Sequence, residues 1–280
     1  MERLMRTSGS ESLAAAANIF MGQTEAPMMV KPYLKGMTRS EIMALMTGGM
    51  ATIAGGVLAA YVGFGISAGH LVTASIMSAP AALMMAKVML PETEASETAA
   101  GARAEVERET VNGIDALCQG AADGVKLAIN VMAMLIAFVA IVALVNFLLS
   151  WTLDLAKIAE PKPLQQLFAW INAPFALLMG VPWRDCGAVG SLLGERIVLN
   201  EFYAYLSLKD AAVEPHSRVV ATYALCGFAN FGSVAIQIGG IGSVVPGRRA
   251  DLAALGLKAM VAGLLACYST AAIAGLLAER

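Results

Sequence analysis

The stretch from Leu127 to Leu153 contains no charged residue. A helix needs about 20 mainly apolar residues to cross a bilayer, so this stretch is long enough to span one. The rest of the chain has a similar character, since 58% of its 280 residues are hydrophobic and 14% are charged. Soluble domains carry about 25% charged residues. The chain is therefore predicted to be an all-α polytopic membrane protein whose main solvent is lipid.

Four further stretches are predicted to be membrane helices, and two of them are interrupted. The first broken helix covers residues 41–65, where glycine pairs and threonines interrupt the apolar run, and the second covers residues 218–247, where Asn230, Ser233 and several glycines do so. Residues 70–90 and 251–278 are predicted to be continuous helices. Discontinuous helices of this kind are typical of transporters, which bind their solute near the bilayer midplane.

Two apolar segments, residues 4–37 and 177–209, are too short or too polar to cross the bilayer. Each is predicted to be a re-entrant hairpin, in which two half-length helices meet at a polar tip. Such a backbone at membrane depth is tolerated only where protein or a water-filled cavity covers it.

The order of these elements repeats along the chain. Residues 1–90 form a predicted first repeat of hairpin, broken helix and helix, and residues 154–280 form a second, which starts with an interfacial helix. Between them lie a charged loop and an amphipathic interfacial helix at 91–126, followed by the central span at 127–153. The spacing repeats too: Glu25 stands 27 residues before Thr52, and Glu201 stands 29 before Asn230. Repeated, interrupted segments predict a transporter with its site between the two halves.

Glu25 and Glu201 lie at the two predicted tips. A carboxylate at membrane depth is costly and indicates a functional site. Neighbouring amides and hydroxyls would suit a neutral, hydrogen-bonding solute; they belong to Asn18, Gln23, Thr24, Asn200, Asn230 and Ser233. The alternative is that Thr24 and Glu25 only cap a helix that begins before Pro27. Both can hold, because a half-helix N-terminus directs free N–H groups at a ligand.

Other residue types argue against other classes of function. The net charge is −2 with no basic block, which argues against nucleic acid as a partner. No nucleophile stands beside a base, so the chain is not predicted to be an enzyme. Cys118, Cys186, Cys226 and Cys267 are far apart and are interpreted as packing residues. Structural roles are also assigned to two further sets: Arg196 and Lys209 as loop or interfacial charges, and Gly48, Gly49, Gly55 and Gly56 as sites of close helix packing.

Three motifs in this order, NIFMGQTEAP, GERIVLNEFYAY and ATYALCGFANFGSVAIQIGG, resemble the concentrative nucleoside transporter family. The resemblance extends over essentially the whole chain. It implies a cation-coupled importer of nucleosides such as uridine, located in the plasma (inner) membrane. It also implies a homotrimer, provided that helices preceding the first hairpin are present.

The resemblance also implies a role for each site residue. In the family the first hairpin contacts the nucleobase, the second holds the ribose, and the broken helices complete the site; the matching residues are Gln23, Thr24, Glu25, Val57, Glu201, Phe228, Asn230 and Ser233. A sodium ion would bind the side chains of Asn18 and Thr52 and the carbonyls of Met21 and Ile53. These are oxygen ligands, as hard cations require, and no other cofactor is implied.

Three departures from the family pattern leave alternatives open. Arg196 replaces the usual lysine of the second motif, and Tyr203 replaces a valine beside Glu201. The chain also begins almost at the first hairpin, so that it resembles the C-terminal two-thirds of a transporter. The preferred coupling ion is sodium, because Asn18 and the GQTEAP context resemble the sodium-coupled branch. The alternatives are proton coupling through Glu25 or Glu201, and a truncated fragment that does not transport.

Overall fold

A computed structural model describes residue 5 and residues 7–99, 110–155 and 162–278. The described residues form helices joined by short loops and contain no strand, as the all-α prediction requires. Parts of the predicted elements lie outside the described residues: the start of the first hairpin, residues 100–109 of the charged loop, and residues 156–161 of the second repeat.

Five α-helices lie within residues 7–99 of the described structure. They are α1 (Gly9–Asn18), α2 (Glu25–Met29), α3 (Arg39–Ala51), α4 (Gly55–Gly63) and α5 (Ala68–Met89), with a 3₁₀ turn at Lys31–Tyr33. Helices α1 and α3 both begin with a capping box, in which a hydroxyl and a glutamate three residues later satisfy the free N–H groups. Helices α1 and α2 form the first hairpin, and α3 and α4 form a helix that is interrupted between residues 51 and 55.

The charged loop is followed by a single long helix, α6 (Gly113–Leu155). One helix thus runs through both the predicted interfacial helix at Ile114–Lys126 and the predicted span from Leu127, and the placement of its first part at the interface stays a prediction. No proline separates the two segments, and an isolated glycine within a helical stretch is tolerated, so the helix continues through. Helix α6 packs against α11 and leaves most of its described apolar side chains exposed.

Six α-helices lie within the described residues 162–278. They are α7 (Pro163–Leu178), α8 (Trp183–Val198), α9 (Glu201–Asp210), α10 (Pro215–Leu225), α11 (Phe231–Val244) and α12 (Arg249–Leu277), with a 3₁₀ turn at Pro246–Arg248. Helices α8 and α9 form the second hairpin. Helix α7 packs closely on α8 at Gly190, where an added Cβ atom would lie only 2.7 Å from the carbonyl oxygen of Ala169. The division of the chain into two repeats stays a prediction.

Four helical stretches within the described residues are long and apolar enough to cross a membrane: Arg39–Gly63, Ala68–Met89, Ile136–Leu155 and Pro246–Leu277. The predicted broken helix at 218–247 is not among them, because its interruption leaves two short halves, of which Phe231–Val244 is the apolar one. Helix α12 contacts α3, α5, α10 and α11. Small buried residues along α12, such as Ala262 and Gly263, allow this close approach.

Candidate functional site

The two helix interruptions meet near the centre of the protein. The backbone N–H of Phe228 donates to the carbonyl of Thr52 at 3.3 Å. Gly227 makes this approach possible, since a Cβ atom there would lie 2.8 Å from the Met50 carbonyl oxygen. As a result, the C-terminal ends of α3 and α10 and the N-terminal ends of α4 and α11 converge, and each has backbone groups without an intrahelical partner. We call the two interruptions the first break (Thr52–Ala54) and the second break (Cys226–Asn230).

The tip of the first hairpin lies against the first break. The N–H of Gly55 donates to the carbonyl of Phe20 at 3.0 Å. Added Cβ atoms at Gly48 and Gly49 would lie 2.8 Å from Asn18 Nδ2 and 3.1 Å from Gln23 Cα. The interpretation of these glycines as sites of close packing is therefore confirmed, and the element they admit is the hairpin tip.

Gly56 does not follow this pattern. A Cβ atom there would have no heavy atom within 4 Å, whereas one at Gly55 would lie 3.2 Å from the Phe20 carbonyl. The packing interpretation is thus right for Gly55 and wrong for Gly56.

Glu201, the first residue of α9, is only 5% exposed and receives hydrogen bonds from both broken helices. The Tyr61 hydroxyl, from α4, donates to Oε1 at 2.9 Å. Asn230 Nδ2, from the second break, donates to Oε2 at 3.2 Å. The amide of Asn230 is fixed in this orientation because its Oδ1 caps α11, accepting from the N–H of Ser233 at 2.8 Å.

Gln23 joins the first hairpin to the second broken helix. Its Nε2 donates to the Ser233 hydroxyl at 2.9 Å, and its Oε1 accepts from Gln237 Nε2 at 3.3 Å. Gln237 also donates to the Met46 carbonyl at 3.1 Å. One polar network therefore runs from the first tip, across the start of α11, to the carboxylate of the second tip.

The other predicted ligand-binding residues are Thr24, Glu25, Val57 and Phe228. Glu25 is exposed and accepts from the Thr24 hydroxyl at 3.0 Å. Val57 is half-buried on α4, and Phe228 is buried in the second break. The side chains of Thr24 and Glu25 are thus hydrogen-bonded to each other, and no hydrogen bond between described residues connects them to the network that ends at Glu201.

Of the predicted cation-binding residues, Thr52 and Ile53 belong to the first break, and Asn18 and Met21 belong to the first hairpin, whose tip lies against that break. The Asn18 side chain is 1% exposed, and neither its Oδ1 nor its Nδ2 has a hydrogen-bond partner among the described residues. The Thr52 hydroxyl donates to the Gly48 carbonyl at 2.9 Å, which leaves its oxygen lone pairs available. Met21 and Ile53 lie outside the helices, so neither carbonyl belongs to a helical hydrogen-bond ladder. A buried amide without a partner and nearby oxygen atoms fit a small cation.

A second set of polar contacts holds the base of the second hairpin. Asp185, near the start of α8, accepts from the Ser217 hydroxyl at 2.6 Å and from the Glu214 N–H at 2.9 Å, at the start of α10. The bond from Ser217, aided by the Glu214 N–H and the Arg184 charge, holds the pKa of the Asp185 carboxyl below its usual range. Burial raises the pKa of the neighbouring Cys186 thiol.

Three functional candidates were not predicted from the sequence. Tyr61 and Gln237 contact the predicted site residues Glu201 and Gln23 but lie in apolar helices. In the sequence, only the polar group of each side chain within an uncharged run could have indicated a functional role. The interpretation of Arg196 as a loop or interfacial charge is wrong, because its side chain is fully buried at 0% exposure. The signal for Arg196 was its position in the second motif.

The cysteines are free thiols. Cys186, Cys226 and Cys267 are buried, as expected for packing residues, whereas Cys118 is exposed and that interpretation is wrong for it. Within the part of the chain that the structure describes, no group of three or more His, Cys, Asp or Glu side chains is arranged to hold a metal ion.

Known proteins resemble this chain along almost its whole length. Residues 70–275 match the family described as Na+ dependent nucleoside transporter C-terminus, and residues 1–68 match the one described as nucleoside recognition. Mouse solute carrier family 28 member 3 is 43% identical over 98% of this chain, which spans 42% of that protein. The uncharacterized transporter YutK of Bacillus subtilis (strain 168) is 44% identical over 99% of this chain, which spans 69% of it.

Solved structures of transporters also resemble this chain along almost its whole length. CNTnw in an inward-facing substrate-bound state superposes with a TM-score of 0.80 at 42% identity, covering 98% of this chain and 66% of that one. A CNTnw variant in its intermediate 3 state gives a TM-score of 0.88 at 42% identity, covering 99% and 68%. These relatives are transporters rather than enzymes, and the chain is a multi-pass membrane protein. It belongs to the concentrative nucleoside transporter family, to whose C-terminal portion it corresponds.

Proposed function

We propose that this protein binds nucleosides and carries them across the plasma (inner) membrane, together with sodium, by alternating access. The observation that carries the proposal is the network that links the two hairpin tips through the start of α11: Gln23 to Ser233, Ser233 to Asn230, and Asn230 to Glu201. A single solute between the tips would thus contact residues from both halves of the chain.

The chemistry of the tips suits a nucleoside. Amide, hydroxyl and carboxylate groups at Gln23, Thr24 and Glu25 offer both donors and acceptors to a base edge. Glu201 would accept hydrogen bonds from ribose hydroxyls, with Asn230 and Ser233 beside it, since a carboxylate has about four lone-pair sites and two are used by Tyr61 and Asn230. Val57 and Phe228 would supply the apolar contacts around these polar groups.

Sodium is the proposed coupling ion. The support is the unpartnered, buried amide of Asn18 next to the first break, with Thr52 and the carbonyls of Met21 and Ile53. The ion would lie at the C-terminal end of α3, where the helix dipole favours positive charge. We also propose that the full assembly is a homotrimer, as the resemblance to the family implies.

The direct test is equilibrium binding of labelled uridine to the purified 280-residue chain, in sodium and in choline buffer. Uridine should bind in sodium, and affinity should fall at least tenfold in choline and in Glu201→Gln. The matched control is Asp210→Asn, which neutralises an exposed carboxylate at the other end of the same helix and should bind as wild type does.

Other results of the same experiment would support the alternatives. Equal binding in both buffers that strengthens as the pH falls would favour proton coupling through Glu25 or Glu201. No binding by a folded, helical chain would favour a fragment that cannot form the site alone. Unchanged sodium-dependent affinity in Glu201→Gln would contradict the assignment of the second tip.

A further inference from the structure

Gln237 is a buried amide in the polar network, and its orientation is fixed by its surroundings. Its side chain, from α11, is 1% exposed. Its Nε2 donates to the main-chain carbonyl of Met46 on α3 at 3.1 Å and to Gln23 Oε1 at 3.3 Å. A main-chain carbonyl can only accept a hydrogen bond, so the end of the amide that faces Met46 has to be the N–H₂ end. Both hydrogens of Gln237 Nε2 are thereby used.

This arrangement is retained although it destabilises the fold. Gln237 Oε1 is buried and has no hydrogen-bond partner among the described residues. An apolar side chain would avoid the loss that a buried, unpaired acceptor causes. Gly49 on α3 admits the pair of glutamines, since a Cβ atom there would lie 2.9 Å from Gln237 Nε2 and 3.0 Å from Gln23 Cβ. The two donated bonds of Gln237 therefore call for a functional explanation.

The orientation of Gln237 determines that of Gln23. Gln23 lies in the turn between α1 and α2, at the tip of the first hairpin. Because its Oε1 accepts from Gln237, its Nε2 faces the Ser233 hydroxyl and donates to it at 2.9 Å. If the Gln23 amide turned over, its N–H₂ group would face that of Gln237, and two donors would oppose each other. Gln237 thus keeps Gln23 in one of its two orientations.

In this orientation the network presents hydrogen-bond donors to a solute. The Ser233 hydroxyl accepts from Gln23 and keeps its own hydrogen, which a turned Gln23 would take up with its Oε1. Gln23 Nε2 and Asn230 Nδ2 each donate one bond within the described structure, to Ser233 and Glu201, and each has a second N–H. The side of the site at the start of α11 is therefore matched by a solute group that accepts hydrogen bonds.

We propose that Gln237 is a positioning residue that fixes Gln23 as a donor, so that the site prefers nucleosides with a base carbonyl, such as uridine, over those with an amino group in its place, such as cytidine. The inference rests on the proposed function, in which Gln23 contacts the base. Uracil presents an acceptor, O4, where cytosine presents an amino donor, N4. An amide that is free to turn over can match either base, whereas a fixed amide matches only one.

The test is equilibrium binding of labelled uridine and of labelled cytidine to the purified chain in sodium buffer. The wild-type chain should bind uridine about tenfold more tightly, the scale of discrimination that a well-placed hydrogen-bonding pair gives between bases. Gln237→Met fills a similar space without donors, so Gln23 can turn to fit cytosine. The ratio of the two affinities should then fall to about twofold or less. A purely structural role would weaken the binding of both nucleosides and leave their ratio unchanged.

Ser243→Ala is the matched control. Ser243 lies on the same helix, but its hydroxyl donates to the Gly240 carbonyl at 2.8 Å, away from the network. Its variant should keep the wild-type ratio and both affinities. If Gln237→Met gives no cooperative melt, Gln237→Ala takes its place. Alanine leaves room for a water molecule beside the Met46 carbonyl, and water can donate or accept, so it does not fix Gln23. The ratio should fall in this variant as well.

The possible failures can be told apart. A wild-type chain that binds uridine and cytidine equally, or prefers cytidine, would overturn the inference and leave the proposed function intact. A wild-type ratio in a folded Gln237→Met or Gln237→Ala protein would also overturn it. A wild-type chain that binds neither nucleoside would contradict the proposed function, and the inference would fail with it.

Discussion

At the scale of single residues, the site is organised around one buried carboxylate. Glu201 accepts one hydrogen bond from the Tyr61 hydroxyl and one from the Asn230 amide, so both of its carboxylate oxygens are hydrogen-bonded before a solute is present. A buried carboxylate without such partners would be very costly. The two donors come from different broken helices, which makes the position of Glu201 sensitive to both.

Replacing Tyr61 by Phe should weaken the site without changing its shape. Glu201 would lose one donor in a buried position, which costs about 1–3 kcal/mol, and we expect uridine affinity to fall by about tenfold. Binding isotherms and thermal melts of the purified variant measure the two effects.

Tyr205→Phe is the matched control, because Tyr205 packs on Tyr61 with ring centroids 4.4 Å apart but donates to the Thr222 carbonyl. It should lower stability and leave affinity for uridine within about twofold of wild type. Equal losses of affinity in the two variants would mean that the aromatic cluster, rather than the bond to Glu201, matters.

At the scale of elements, the two broken helices depend on each other. The breaks are joined by the hydrogen bond from Phe228 to Thr52, and Gly227 is the residue that allows them to touch. A Cβ atom at Gly227 would also lie 2.8 Å from Cys267 Sγ, so that backbone and side chain would both have to move. The site is therefore a property of the pair of breaks.

Gly227→Ala should destabilise the protein by about 1–3 kcal/mol through overpacking. Its melting temperature should drop and its uridine affinity should fall with it. Gly56→Ala is the control, since its Cβ atom would meet open space and alanine favours a helix. A Gly227→Ala protein as stable as Gly56→Ala would show that the breaks do not pack as described.

The second hairpin should loosen from α10 in acid. Because Asp185 has a lowered pKa in the folded protein, its bond to Ser217 stabilises the fold above the carboxyl's ordinary pKa, and this contribution is lost as the pH falls through the lowered value. Ser217→Ala should therefore melt below wild type at neutral pH by an amount that shrinks on acidification.

Melting curves of wild type and Ser217→Ala across a pH series in detergent measure this difference. Ser269→Ala, whose hydroxyl bonds within α12 to the Leu265 carbonyl, should give a gap that does not depend on pH. A constant gap for Ser217→Ala would contradict the role assigned to Asp185.

At the scale of the whole molecule, the apolar runs and their interruptions predicted the helical class and the helix breaks, because both depend on local composition. The glycines and Asn230 indicate the breaks directly. Contacts across long separations could not be predicted: Tyr61 and Glu201 are 140 residues apart, and nothing near Tyr61 indicates its partner. The burial of Arg196 was missed for the same reason, since it depends on how α8, α10 and α12 pack together.

Uptake of labelled uridine into sealed proteoliposomes tests the proposed coupling of a sodium gradient to nucleoside movement. An inward sodium gradient should drive accumulation above the external concentration, and Asn18→Ala and Glu201→Gln should abolish it. Accumulation driven equally well by a pH gradient without sodium would contradict sodium coupling. Sodium-dependent binding with no accumulation would contradict the claim that the 280-residue chain transports.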